Sequence, residues 1–378
     1  MNPCGPGVGA SGPAPVDVHV AAATLACLPE MTPARLRALV EEGPGPVAAL
    51  RAVQRGATPP AGPREEPGRR ALARAWREAA DPERIGATLR RRGTRVLLAG
   101  EPAFPIPDDV PDRPCVLLAE GHDASALDGP RVAVVGTRAA TVHGLADARE
   151  IGAFLARSGV TVVSGLAIGV DAAAHEGALD AGGRVVGVVA TGLDVVYPRR
   201  HVVLFERVRR RGLLVGECGF GVRPDRGRFP VRNRIIAALA DVVVVVEATA
   251  RGGARITAER ALDYGRPVLA VPGSRRNPAA AGCNALLADG AHPLLDPSDV
   301  LLALGLTPGS RRGWGEPQDP PPLVGDTARV HRALGGEPAT ADQLASRTGL
   351  DPGAVALAVA ALEAANRVEC ERGLVWPR

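Results

Sequence analysis

Five short segments of the chain carry residues suited to gripping a phosphate. Gly136-Thr137-Arg138 follows the apolar run 131–135 and precedes a helical pattern. Backbone amides and a helix N-terminus can meet an anion at such a turn, and Arg138 adds a charged fork. The second segment runs from Ser164 through Gly165 and Gly169 to Asp171, again after an apolar run. Its glycines let a ligand backbone approach closely. Asp171 reads as the cap of the following helix. With His175 one turn on, it reads as an internal hydrogen bond that orients the loop rather than as a metal or acid–base couple. The third segment, Phe229-Pro230-Val231-Arg232-Asn233-Arg234, is preceded by Arg223, Arg226 and Arg228. A Phe among five arginines is the combination that stacks a base and neutralises the backbone of an unpaired strand. The fourth spans Glu247 to Ala258, where Gly252-Gly253 allow close approach and Thr257 sits near a helix start. The fifth is Val271-Pro272-Gly273, with Gly282-Cys283-Asn284 opening a further helix. Each is weak alone: the first, by itself, is better explained as a tight turn with a solvent-facing Arg, whereas the third is less easily explained as an exposed basic turn. All five follow strands of one sheet, however, and so converge on one edge.

The chemistry these segments offer is positioning. The loop at 136–138 is not GxGxxG, and no GxxxxGK[ST] phosphate loop occurs, so dinucleotide binding and ATP-driven work are disfavoured. A nucleotide- or nucleoside-phosphate-hydrolysing enzyme is the rival reading. Its general base and water-positioning acid would come from Asp171, His175, Glu217 or Glu247. The favoured expectation has no catalytic residue, no cofactor and no metal.

The elements that must hold these loops are legible as alternation. Apolar runs at 131–135, 160–163, 184–189, 213–215, 242–246 and 267–270 are each followed by a helical pattern. Continuous apolar strands with intervening helices predict a parallel sheet covered on both faces: an α/β, Rossmann-like, doubly wound fold over 94–305. Residues 16–93 predict a small helical domain of helix-hairpin-helix or SAM-like type, with helices at 20–28, 33–40 and 47–54. The LPEMTP turn carries Glu30 and Thr32 where a phosphate-binding hairpin would carry glycines, so it reads as a packing or partner-binding module. Residues 326–378 have helix–turn–helix spacing followed by a short hairpin, which predicts a winged-helix-like domain. Its second helix, 351–365, has no Arg, Asn or Gln with which to read base edges, so duplex reading is disfavoured. Pro/Gly-rich stretches predict a disordered tail over 1–15, a flexible insertion over 56–70 and a linker over 306–325.

Composition sets the remaining bounds. The chain has 378 residues, enough for two or three domains, and 23% charged residues, as globular chains have. It contains no lysine, so all 45 basic residues are arginines. Every cation is therefore a planar fork suited to phosphate. The net charge is only +4, so local placement of arginine carries the nucleic-acid argument. Six scattered cysteines without a CxxC pair disfavour a zinc ribbon or a disulfide scaffold and fit a reducing cytoplasm. No signal-peptide pattern and no membrane-spanning run are present.

Taken in order, VAVVGTR at 132–138, SGLAIGVDAAAH at 164–175, TGLDVVYP at 191–198, FPVRNRIIAALA at 229–240, ITAERAL at 256–262, AVPG at 270–273 and GCNALL at 282–287 resemble the DNA-processing protein DprA (Smf) family. The resemblance is strong from about Pro102 to Leu304. It implies a dimer that binds single-stranded DNA without strong sequence preference and loads the recombinase RecA onto incoming strands during natural transformation. Carried over residue by residue, it implies a DNA site at Arg138, Ser164, Gly165, the arginines before Phe229, Phe229 and Arg232 to Arg234; with the loop residues read above, the expected site is Gly136, Thr137, Arg138, Ser164, Gly165, Gly169, Arg226, Arg228, Phe229, Arg232, Asn233, Arg234, Gly253 and Thr257. Of these, Arg138, Arg226, Arg228 and Arg232 would neutralise phosphates while Phe229 stacks a base. The chain departs from the family at Thr137 (usually Ser), His143 (usually Tyr), His201 (usually Asn) and Gly216 (usually Ser). Gly252-Gly253-Ala254-Arg255 replaces a usual Ser-Gly-Ser-Leu, removing two hydroxyls; Arg255 would replace them electrostatically.

Overall fold

The computed structural model describes residues 16–57, 66–306, 323–335, 338–364, 367–371 and 373–377. The tail expected over 1–15, most of the linker and the middle of the insertion lie outside the described residues. Contacts divide the chain into two units, Met1–Ser310 and Arg311–Arg378.

The first unit opens with helices. Asp17 caps α1 (Val18–Ala26), its carboxylate accepting from the amides of His19 and Val20. Thr32 caps α2 (Pro33–Val40), with proline in its first turn. Then come α3 (Pro46–Gln54), α4 (Glu66–Ala79) and α5 (Pro82–Arg92), the last closed by Gly93 in the left-handed region. Five helices therefore stand where three were expected, and α4 begins inside the segment read as a loop to Arg70. The charged, Arg-rich α4 hides its amphipathic signal behind the prolines before it, yet it delivers Trp76 fully buried. The Trp76 indole donates to the Pro29 carbonyl at 2.8 Å and so pins the α1–α2 turn. Leu25, Leu36, Leu50 and Trp76 share a core with Leu98 and Val116, while Ala23, Ile85 and Leu89 join the core of the sheet itself. The helical segment is thus built onto the sheet.

The sheet alternates β1 (Arg95–Leu98), β2 (Val116–Glu120), β3 (Arg131–Val135), α6 (Val142–Arg157), β4 (Thr161–Ser164), α7 (Val170–Asp180), β5 (Val185–Val188), α8 (Val202–Arg211) and β6 (Leu213–Gly216). It continues with α9 (Arg228–Leu239), β7 (Val242–Val245), α10 (Gly253–Asp263), β8 (Val268–Ala270), α11 (Ala281–Ala288), β9 (His292–Pro293) and α12 (Asp299–Ala303). The strand order is β1-β2-β6-β5-β4-β3-β7-β8-β9. From β6 to β9 every pairing is parallel. The wholly parallel expectation is corrected at one edge: β1 pairs antiparallel with β2, and β2 antiparallel with β6. No helix joins β1 to β2, so the chain simply turns back on itself. Alternate residues of the strands face opposite layers. Val132 and Val134 pack with Ile151, Leu155 and Leu179, whereas Ala133 and Val135 pack with Ile235, Ala254 and Leu286.

In the second unit, α13 (Gly325–Leu334), β10 (Ala339–Thr340), α14 (Ala341–Thr348), α15 (Pro352–Ala364), β11 (Val368–Glu371) and β12 (Leu374–Pro377) form a winged helix with sheet order β10-β12-β11. Helix α13 was not expected from the sequence; it begins at Gly325, the end of the expected linker. Thr340 and Gln343 close a capping box at the start of α14.

Candidate nucleic-acid interface

Because β3 lies between β4 and β7, successive crossovers diverge there, and a crevice opens beyond the carboxyl ends of these strands. It holds a pocket of about 640 Å³. Gly136, Thr137 and Arg138 enter it after β3, Ala167 after β4, and Thr249, Gly252 and Gly253 after β7. The loop before α9 supplies Arg226, and α9 itself Phe229, Arg232 and Asn233. Four of the five segments singled out from the sequence therefore meet. The fifth does not line the pocket. Its Gly282 amide donates to the Ala248 carbonyl at 2.6 Å and so braces the β7 turn from behind.

The mouth is an aromatic and cationic stack. The Arg138 guanidinium lies 5.0 Å from the centre of the Phe229 ring. Tyr197 faces Phe229 with ring centroids 5.4 Å apart and planes tilted by 38°. Tyr197 was missed as a site residue; the TGLDVVYP motif held it, but nothing in the spacing tied it to Phe229. Arg138 and Arg226 are exposed, and neither has an ion-pair partner among the described residues. Opposite them, α10 starts at Gly253 without a side-chain cap, and Gly253 and Ala254 of its first turn line the pocket, while the Arg255 amide donates to the Gly252 carbonyl at 3.2 Å. A Cβ on Gly253 would come no closer than 3.6 Å to Asn233 Nδ2, which leaves room for a ligand at that turn.

Several expected contact residues turn out to be scaffold. Arg232, read as a phosphate ligand, is only 6% exposed. Its guanidinium donates to the carbonyls of Gly165, at 2.7 Å, and Val188, so it forms the floor rather than a free fork. Burial lowers its pKa to about 10, with Asp171 opposing the shift, and it stays charged at neutral pH. Arg234 faces away from the pocket, where it pairs with Glu217 and donates to the Asp112 carbonyl. Arg228 turns to the far side of α9. Ser164 is buried, its hydroxyl donating to the Val134 carbonyl at 2.6 Å. The Asn233 amide donates to the Gly253 carbonyl at 3.0 Å, and the Thr257 hydroxyl to the same oxygen at 3.3 Å. Arg255 does not replace the absent hydroxyls, since it bonds the Ala250 carbonyl and lies 3.7 Å from Glu259. Gly169 has φ +87°, and a Cβ there would lie 2.3 Å from the Thr137 carbonyl, so this glycine locks the β3 and β4 loops together.

The groups available to an enzyme are engaged in structure. Asp171 does not cap α7, as its position suggested, and it does not bond His175. It accepts from the loop amides of Gly165 (3.1 Å) and Ala167 (3.4 Å), and burial pushes its pKa up against the pull of Arg232. The His175 Nε2–H donates to the Val186 carbonyl, and burial lowers its pKa to about 4. Glu247 accepts from the Thr141 amide and hydroxyl and so anchors the start of α6. Glu217 is neutralised by Arg234.

Residues 95–305 match the family model for DNA recombination-mediator protein A, and 315–373 match that for the DprA winged helix domain. The Synechocystis protein Smf is 35% identical over 319 residues, covering 73% of this chain and 80% of its own. A putative DNA processing protein DprA from Mycobacterium tuberculosis is 40% identical over 300 residues, 75% of this chain and 77% of its own. The crystal structure of DprA from Streptococcus pneumoniae superposes with TM-score 0.56 at 35% identity, covering 62% of this chain and 81% of that one. A structure describing the single-stranded DNA binding mode of DprA from Helicobacter pylori superposes with TM-score 0.50 at 30% identity, covering 56% and 95%.

Proposed function

The chain belongs to the DNA recombination-mediator protein A (DprA, Smf) family, and from that premise we propose that its crevice binds single-stranded DNA and performs no chemical step. The observation that carries this reading is the stack of Arg138, Phe229 and Tyr197 at the pocket mouth. Unpaired bases offer faces to such rings, whereas a duplex must unstack first. Arg138 and Arg226 meet adjacent phosphates, and the uncapped first turn of α10 adds amide donors. Arg232, Asn233, Ser164 and Thr257 act one layer down by fixing the loops. The family resemblance extends the proposal. The protein works as a homodimer in the cytoplasm, two pockets raising avidity for longer strands, and passes incoming DNA to RecA during natural transformation. The engagement of Asp171, His175, Glu217 and Glu247 in structural bonds favours positioning over hydrolysis.

Photocrosslinking tests the assignment. A single strand carrying 5-iododeoxyuridine is irradiated with the protein, and the adducts are mapped by mass spectrometry. Adducts on the peptides holding Tyr197 and Phe229, competed by unlabelled single strand and not by duplex, support the reading. Adducts confined to the winged helix or to α8 would overturn it.

A further inference from the structure

A second and larger cavity, about 830 Å³, lies on the far side of the first turn of α9. One wall is the segment 217–228 that follows β6; the other is the α1–α2 turn, with Leu28, Pro29 and Met31. We propose that this groove holds the stretch of single strand that continues out of the β3–β4–β7 pocket, an inference that rests on the single-strand reading above.

Three observations carry it. First, the two cavities are neighbours across α9: Arg232 lines both, with Arg228, Val231 and Ile235 on one side and Phe229, Asn233 and Ile236 on the other. Second, the basic segment is shared out between them. Arg226 lines the pocket, whereas Arg223 and Arg228 line the groove. Arg223 is exposed, and neither it nor Arg228 has an ion-pair partner among the described residues; Arg228 donates to Cys218 Sγ at 3.6 Å. The acids on the same wall are engaged, Glu217 by Arg234 and Asp225 by the Gly227 amide at 2.9 Å. Third, the walls differ in chemistry as the two sides of a strand do. Arg223 and Arg228 on one wall suit phosphates, while Leu28, Pro29 and Met31 on the other, beside Glu30 and Arg35, offer apolar surface to bases. The groove is also built rather than incidental. A Cβ on Gly219 would lie 2.5 Å from Cys27 Cα, so the loop is seated tightly against the end of α1. The helical module thereby gains a role in the length of strand held.

The test compares labelled oligo-dT of about 4 nucleotides, the short end of known single-strand sites, with one of about 10. The full chain, Arg223→Ala and Met31→Glu are titrated with each. The expected result is about tenfold tighter binding of the longer strand by the parent, lost in both variants while the short strand binds them as it binds the parent. Photocrosslinking gives a readout without substitution. 5-Iododeoxyuridine at the far end of the longer strand is expected to form adducts on the peptides holding Met31 or Phe220, and the shorter strand to form none there. If the parent binds the short strand and gains nothing from length, or both variants keep the gain while no adduct falls on these peptides, the groove assignment is overturned and the pocket stands. A parent that binds neither strand overturns both.

Discussion

His175 should make the loop scaffold acid-labile. It is fully buried beneath the glycine loop at 164–171, its Nε2–H held by the Val186 carbonyl, with the charges of Arg232 and His201 adding to the desolvation that disfavours its protonation. Its pKa falls from 6.5 to about 4 on folding. A folded-state pKa below the unfolded value means that the unfolded chain takes up the proton first. The stability contribution is therefore present above 6.5 and is lost as pH falls toward 4. Between about pH 7.5 and about pH 4.5 this linkage amounts to about 2.5 kcal/mol. The perturbation is His175→Gln, whose amide still donates to Val186 but does not titrate in this range. Urea unfolding of parent and variant at both pH values isolates the difference, because the other titrating groups, such as Asp171 and Glu217, are common to both. The parent should lose about 2.5 kcal/mol more than the variant on acidification. Equal losses would refute the claim that the imidazole is held neutral by burial.

Three further outcomes follow from the geometry. Phe229→Ala should weaken single-strand binding by about 1–3 kcal/mol without altering the melting temperature, since the ring sits at the mouth; anisotropy and a thermal melt check both halves. Arg234→Met should destabilise the fold by about 3–5 kcal/mol by leaving Glu217 buried without its partner, and adding Glu217→Leu should restore most of that loss in denaturant titrations. Gly165→Ala places a methyl 2.5 Å from the Arg232 guanidinium. It should lower single-strand affinity more than Arg232→Lys does, a ranking that competition binding reads directly.

The parallel heart of the sheet was legible because its strands are unbroken valine runs, each followed by a helix. The loops that ligands meet could then be listed from strand ends alone. The antiparallel edge was not legible: RVLL at 95–98 and VLLAE at 116–120 look like any buried strand, and direction is set by the connection between them. Within the site, residue type separated candidates from bystanders but did not separate ligand contacts from scaffold. Arg138 and Arg232 are the same side chain in neighbouring motifs. One ends in solvent over a ring, and the other ends on two carbonyls beneath the floor. Only the packing of Gly165 against Arg232 decides this, and it is a contact between residues 67 positions apart. Tyr197 and the α1–α2 wall were hidden for the same reason, since their partners are distant in sequence.

The most direct measurement is the anisotropy of a labelled oligo-dT and a matched duplex across a salt series, with the parent, Arg138→Ala and Arg226→Ala. Single-strand binding in the pocket predicts preference for the single strand, affinity that falls as salt rises, and a salt slope that drops by about one phosphate contact in each variant. Equal affinity for both forms, or a slope unchanged by the loss of either arginine, would contradict it.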